Sequence, residues 1–196
     1  MGFIGMTYLH LTGALALTAV SSEYPIVISP LAGLILFFAI FVLIFLIIPA
    51  RPGPYKYFLF ALFAIIIGQT LAPLVDKLQA RGTLREVLFS VAGIFLAMTA
   101  VGFLDNQNVL GFGPYLIAAL LGLIVARLIL LFTQVDPSIN VEKANSYLNL
   151  FATALFAIYV AYDTQLLKER QRNKDYVNAS MGLFLDIINL FTSQSD

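Results

Sequence analysis

The sequence predicts an all-α membrane protein, a single domain of transmembrane helices over residues 1–196, and three observations predict it. Of its 196 residues 60% are hydrophobic and only 11% are charged, against roughly half and a quarter in a soluble domain. The mean hydropathy is +0.92, and the apolar residues fall in runs of about 20. That length crosses a hydrocarbon core of about 30 Å at about 1.5 Å per residue. Clusters of Pro, Gly, Asn and Asp punctuate the runs, and no stretch between them is polar and long enough for a separate soluble domain.

The first run covers about Phe3 to Val20. Ala19-Val20-Ser21 is small enough for signal cleavage, but no Lys or Arg precedes the run. A signal peptide needs a positive n-region, so a retained helix is expected. After Glu23-Tyr24-Pro25 the second run is Pro30 to Pro49, and Arg51-Pro52-Gly53-Pro54 separates it from Tyr55 to Val75. Arg81-Gly82 precedes Leu84 to Leu104, and Asp105-Asn106-Gln107-Asn108 closes that fourth run. Phe112 to Thr133 is the fifth; beyond Asp136-Pro137-Ser138 the sixth covers Ser146 to Leu167. Small residues predict close helix contacts at Gly13 and Ala14, at Gly68 and Ala72, and at Ala118, Ala119 and Gly122.

Tyr176 to Ser193 has helical period but a different character. Asn178, Gly182, Asp186, Asn189 and Ser193 follow at spacings of three and four, one narrow polar and small stripe. Lipid does not tolerate such a stripe, which must face other helices or water. This seventh helix is therefore expected in the middle of the bundle.

Eleven Lys and Arg balance eleven Asp and Glu, and there is no basic patch, so no nucleic-acid partner is expected. The absence of cysteine excludes disulfides, thiolate metal sites and cysteine nucleophiles. One histidine, His10, cannot build a His-rich metal site, and an interior histidine with its bonds satisfied is its expected role. With the N-terminus in the cytoplasm, the inner loops hold Arg51, Lys56, Lys168, Arg170, Arg172 and Lys174, and the outer ones Lys77, Arg81, Arg85 and Lys143. That bias is mild and positive inside.

Asp163 and Asp186 are the two carboxylates closely flanked by apolar residues on both sides within predicted spans. An ionised carboxylate there is costly unless protonated, paired or hydrated. Their helices are consecutive, and an antiparallel hairpin brings both to similar depth. Two carboxyl groups in contact do not easily both ionise and can share a proton, so the pair becomes a pH switch. The plain alternative is that each separately bonds a neighbouring helix. Arg127 is expected to snorkel to the interface and Arg51 to be a surface anchor. Asn149 and Thr153, one turn apart, either line a polar path or bond a neighbouring helix.

Tyr162-Asp163-Thr164-Gln165, Asp175-Tyr176-Val177-Asn178-Ala179 and Leu183-Phe184-Leu185-Asp186-Ile187-Ile188-Asn189-Leu190-Phe191 resemble the signature of the Bax-inhibitor family, the transmembrane Bax inhibitor motif proteins. Gly13 to Ala19, Gly68 with Pro73, and the count of seven segments fit more loosely. The resemblance implies six helices around a central seventh, a pH-sensitive calcium leak and, in eukaryotic members, a restraint on cell death. It makes Asp163 and Asp186 the gating pair and a weak, transient calcium site, completed by Asn189 and water, since calcium takes six to eight oxygens. Asn178, Gly182 and Asn189, with Asn149 and Thr153, are the candidate pore lining. Arg51 stands in the region of a basic residue that bonds the pair in some members. Against the family's pattern, a much shorter N-terminal tail, no C-terminal extension and a last helix too short for a full crossing are expected.

No cofactor is expected, and calcium is the transported ion. The expected partners are the bilayer, calcium ions and protons, with other membrane proteins as candidates. The expected membrane is the endoplasmic reticulum or another internal one in a eukaryote or virus, and the plasma membrane in a bacterium. A non-conducting protein that modulates other channels or cell-death factors is the alternative. Two membrane carboxylates also suggest an intramembrane aspartyl protease. Those enzymes resemble each other in Gly-Leu-Gly-Asp and Pro-Ala-Leu motifs; here Phe184-Leu185 precedes the second aspartate, and the other motif is not expected after it. No enzyme is expected.

Overall fold

A computed structural model describes residues 2–26, 30–104, 108–133, 140–170 and 175–194. Every regular element among them is helical: α1 (Phe3–Glu23), α2 (Pro30–Ile47), α3 (Pro54–Arg81), α4 (Leu84–Phe103), α5 (Gly113–Thr133), α6 (Val141–Arg170) and α7 (Tyr176–Ser193), with a 3-10 turn at Val109–Phe112. Five of them, α1, α3, α4, α6 and α5 with the turn before it, are long and apolar enough to cross a membrane. The protein is an all-α, multi-pass integral membrane protein. Large side chains on α2 and α5 that stay exposed, such as Phe38, Phe45, Leu121 and Phe132, are the faces lipid covers.

The second run is shorter than the sequence predicts, its apolar helix covering Leu31–Ile47. Pro49 lacks an N–H and disfavours helix at Ile48, so the chain leaves in a turn with Ala50 N–H bonded to Ile47 O at 3.2 Å. The third helix runs past Val75 to Arg81, through Pro73. It stops where Gly82 takes φ 71°, a left-handed conformation that glycine adopts without Cβ strain. There Gly82 N–H bonds Gln79 O and Thr83 N–H bonds Leu78 O, each at 3.0 Å.

The described chain forms two compact units, Met1–Leu84 with Glu169–Phe184, and Arg85–Lys168 with Leu185–Asp196. In the first, α1 and α3 lie in close contact because Gly68 has no side chain: a Cβ there would stand 2.4 Å from Thr18 O. Thr18 Oγ1 donates to Ala64 O at 2.9 Å and Ser21 Oγ to Ile65 O at 2.8 Å. Gln69 completes the seam, its Nε2 donating to Ser21 O and its Oε1 accepting from Ile26 N–H. Phe60 and Phe63 of α3 meet Phe184 of α7 edge-on, with ring centroids 6.0 and 5.9 Å apart. In the second unit Gly102 of α4 plays the part of Gly68. A Cβ there would stand 2.6 Å from Ala161 O and 2.7 Å from Thr164 Cβ on α6.

Gly68, Ala14 and Ala72 are close-packed as expected, the two alanines being buried. Gly13 and Gly122 are not: nothing lies within 4 Å of where their Cβ would be. No residue of α7 is exposed, and Val177, Leu183, Phe184 and Leu190 are fully buried. A helix enclosed by protein can carry the polar stripe that lipid would reject.

Candidate functional site

Residues Asp163 and Asp186 belong to the same compact unit. The hydroxyls of Thr153 on α6 and Ser193 on α7 bond at 2.9 Å and fix the register there. Asp163 lies ten residues after Thr153 and Asp186 seven before Ser193, about 15 Å and 10.5 Å of helix, so their axial levels differ by about 4.5 Å. The two carboxyl groups interact electrostatically, and Tyr159 of α6 lies in range of both. Asp186 is only 5% exposed, and among the described residues its Oδ2 accepts no hydrogen bond. A carboxyl oxygen buried in that way calls for a proton, a water or a cation. Asp163 is half-buried.

Each member of Tyr162-Asp163-Thr164-Gln165 has its own neighbour. Tyr162 packs on Gly113, where a Cβ would stand 2.9 Å from its hydroxyl. Thr164 is fully buried against Gly102, and its Oγ1 has no hydrogen-bond partner among the described residues. Gln165 Oε1 accepts from Val109 N–H at 2.8 Å and Leu110 N–H at 3.1 Å, closing the start of the 3-10 turn. One turn on, Lys168 Nζ donates to Phe103 O at 2.8 Å, holding the end of α4. The motif thus binds α4, the turn and α5 to the helix that carries Asp163.

The other candidate residues lie in several places. Asn149 is buried and accepts from Arg127 Nη2. Arg127 therefore bonds across to α6 rather than only reaching for the interface. Thr153 bonds Ser193, while Asn189 and Gly182 are half-buried along α7. Asn178 belongs to the other unit, where its Nδ2 donates to Asp175 Oδ2 at 3.0 Å and to Ile48 O at 3.1 Å. Arg51 is exposed in the loop between α2 and α3. His10 is satisfied as expected: its Nδ1 donates to Met6 O at 2.8 Å, and its ring lies 5.1 and 5.0 Å from those of Tyr57 and Tyr176. Arg172, Lys174, Asn106 and Asn173 lie outside the described residues.

One buried cation escaped the sequence reading. Lys56, counted above as an inner-loop charge, is fully buried, its Nζ 2.8 Å from Asp175 Oδ2 and 3.0 Å from Ala50 O. Asp175 also caps α7, its Oδ1 accepting from Asn178 N–H at 3.2 Å. The signal for it was the Asp175-Tyr176 pair within the quoted motif; its partner is 119 residues away, where no local pattern reaches.

Comparison with known proteins agrees with the motif. A family model described as "Inhibitor of apoptosis-promoting Bax1" matches residues 1–193. The chain is 32% identical over 155 residues to Bax inhibitor 1 of Schizosaccharomyces pombe, covering 79% of this chain and 56% of that protein. It is 29% identical over 202 residues to a BI1-like protein of Arabidopsis thaliana, covering 97% of this chain and 77% of the relative. It is 31% identical over 138 residues to the Golgi anti-apoptotic protein of Vaccinia virus (strain Lister), covering 70% and 55%. The chain thus spans a little over half the length of the yeast and viral relatives.

Proposed function

This chain belongs to the Bax inhibitor family, and from that premise we propose that it is a pH-sensitive calcium leak, gated by Asp163 and Asp186, that restrains cell death. The reading is carried by one observation: two carboxyl groups stand at similar levels on helices tied by the Thr153–Ser193 bond, and Asp186 is buried with an Oδ2 that accepts no hydrogen bond among the described residues. When the pair shares a proton, a hydrogen bond between the carboxyls holds α7 against α6. As pH rises the proton leaves, two carboxylates repel at short range in a low-dielectric interior, and the packing loosens. The freed oxygens attract a divalent cation. Two carboxylates and Asn189 offer at most about five protein oxygens, fewer than the six to eight calcium prefers, so water completes the shell and the ion passes rather than stays.

The protein's own work is passive transport, without a cofactor and without a catalysed reaction. Its partners are the bilayer, calcium and protons. Its membrane is an internal one in a eukaryotic or viral setting and the plasma membrane in a bacterium. Arg51, exposed near the start of α3, serves the surface. A second reading, a non-conducting protein that modulates channels or cell-death factors, draws on the viral relative, whose name describes anti-apoptotic action and no ion flow. Calcium flux into proteoliposomes that contain only this chain, measured across pH, separates the two. Flux that rises with pH supports the leak, and its absence at every pH leaves the modulator.

A further inference from the structure

The first turn of α7 is held more heavily than a helix start requires. Asp175 already supplies a cap through Oδ1, yet its Oδ2 also receives Lys56 and Asn178, at 2.8 and 3.0 Å. Lys56 is fully buried while Asp175 keeps 23% of its side chain exposed. The ammonium of Lys56 spans from Asp175 to Ala50 O, and Asn178 spans from Asp175 to Ile48 O. Both bridges therefore end on the backbone just after α2. Beside them the hydroxyls of Tyr57 and Tyr176 bond directly. Ser180 Oγ, one turn on, donates to Thr7 O of α1 at 2.8 Å. All of these residues lie within one compact unit.

A fully buried ammonium is costly unless paired, and removing its partner is far worse than removing both charges. A plain cap would use Asp175 alone, since Ser, Thr, Asn or Asp suffices there. The buried lysine adds something a cap does not need: a strong, two-way tie whose loss is felt at once. Because α7 is one unbroken helix from Tyr176 to Ser193, freedom in its first turn is freedom of the rod that carries Asp186. We infer that Lys56 and Asp175 form a latch on α7, positioning residues whose ion pair holds the helix in its resting place and whose release opens the leak. The second half of that inference rests on the leak proposed above; the first half does not.

The test uses the full chain in proteoliposomes, with calcium flux per folded protein at the single pH where the wild type passes least. Asp175→Asn keeps the shape and the cap but strands the Lys56 charge. It should raise flux at least about fivefold, the lower end of an ordinary coupling between sites. Asp175→Glu, which keeps the charge, and the double change Lys56→Met with Asp175→Asn, which removes both, should bring flux down again. Hydrogen exchange gives a separate reading: amides of Val177 to Ser180 should exchange faster in Asp175→Asn and return toward wild type in the double variant. If Asp175→Asn does not fold, Lys56→Met alone strands only the partly exposed carboxylate and should show both effects more weakly. A melting-temperature loss with flux and exchange unchanged overturns the latch. If the wild type passes no calcium at any pH, the leak reading fails instead, and the exchange measurement alone decides whether the latch exists.

Discussion

Replacing Gly68 with alanine tests the packing of the α1–α3 seam with a single methyl group. That carbon would lie 2.4 Å from Thr18 O, 2.7 Å from Ser21 Cβ and 3.1 Å from Ser21 Oγ. A carbon–oxygen contact relaxes only at about 3.3 Å, so the two helices must part by about 0.9 Å. The bonds of Thr18 to Ala64 O and Ser21 to Ile65 O, now 2.9 and 2.8 Å, then stretch past the usual limit of about 3.2 Å. Overpacking costs about 1–3 kcal/mol, and each weakened bond about 1 kcal/mol. Alanine's better helix propensity returns about 1 kcal/mol, which leaves a net loss of roughly 2–4 kcal/mol. For a chain of this size that lowers the melting temperature by roughly 4–16 °C. Thermal unfolding in detergent, followed by circular dichroism, reads the shift. Gly13→Ala is the control: it lies on the same α1, with nothing within 4 Å of the new methyl. It should raise the melting temperature by a few degrees through propensity alone. Equal shifts for the two variants would refute the claim that Gly68 permits the close approach.

Two further outcomes are expected. Single cysteines at Asn173 and at Asn106, in a chain that has none of its own, should both be labelled from the cytoplasmic side; labelling from the outer face alone reverses the orientation. Gly182→Leu, one turn before Asp186 on the polar stripe, should block ion passage by filling the space beside the carboxyl. A stable, fully conducting Gly182→Leu protein would remove that face from the pathway.

The membrane class and most helix limits were legible because length, hydropathy and Pro-Gly punctuation are local properties. The turn signal at Arg81-Gly82 marks the end of α3, although the apolar run ends at Val75 and the helix continues six residues beyond it. The run at Pro30–Pro49 was less so, because hydropathy continues to Pro49 while the backbone leaves the helix at Ile47. Asp163 and Asp186 stood out as carboxylates among apolar neighbours, and the resemblance fixed their flanks. Packing glycines were only half legible: Gly68 and Gly13 look alike in sequence, yet only Gly68 meets the backbone of another helix. Gly102 was missed for the same reason. Lys56 was misjudged as a loop charge because it stands in the first turn of a helix, where lysine is ordinarily solvated. Its burial is set by Asp175, and no periodicity joins residues so far apart.

The central claim is that one pair of carboxyl groups sets the response to pH. Its most direct test is calcium flux into liposomes across pH, for the wild type, Asp163→Asn, Asp186→Asn and the double variant. An asparagine keeps the shape and a hydrogen bond to the remaining aspartate while removing the repulsion. Wild-type flux should rise as pH rises, since the shared proton is present at low pH and lost on the way up. Each single variant should stay folded, mostly closed and flat with pH, and the double should add little, because both act on one element. Separate, additive losses of stability with an unchanged pH profile would make each aspartate an independent helix contact. A wild-type pH response surviving in the double variant would contradict the aspartate gate outright.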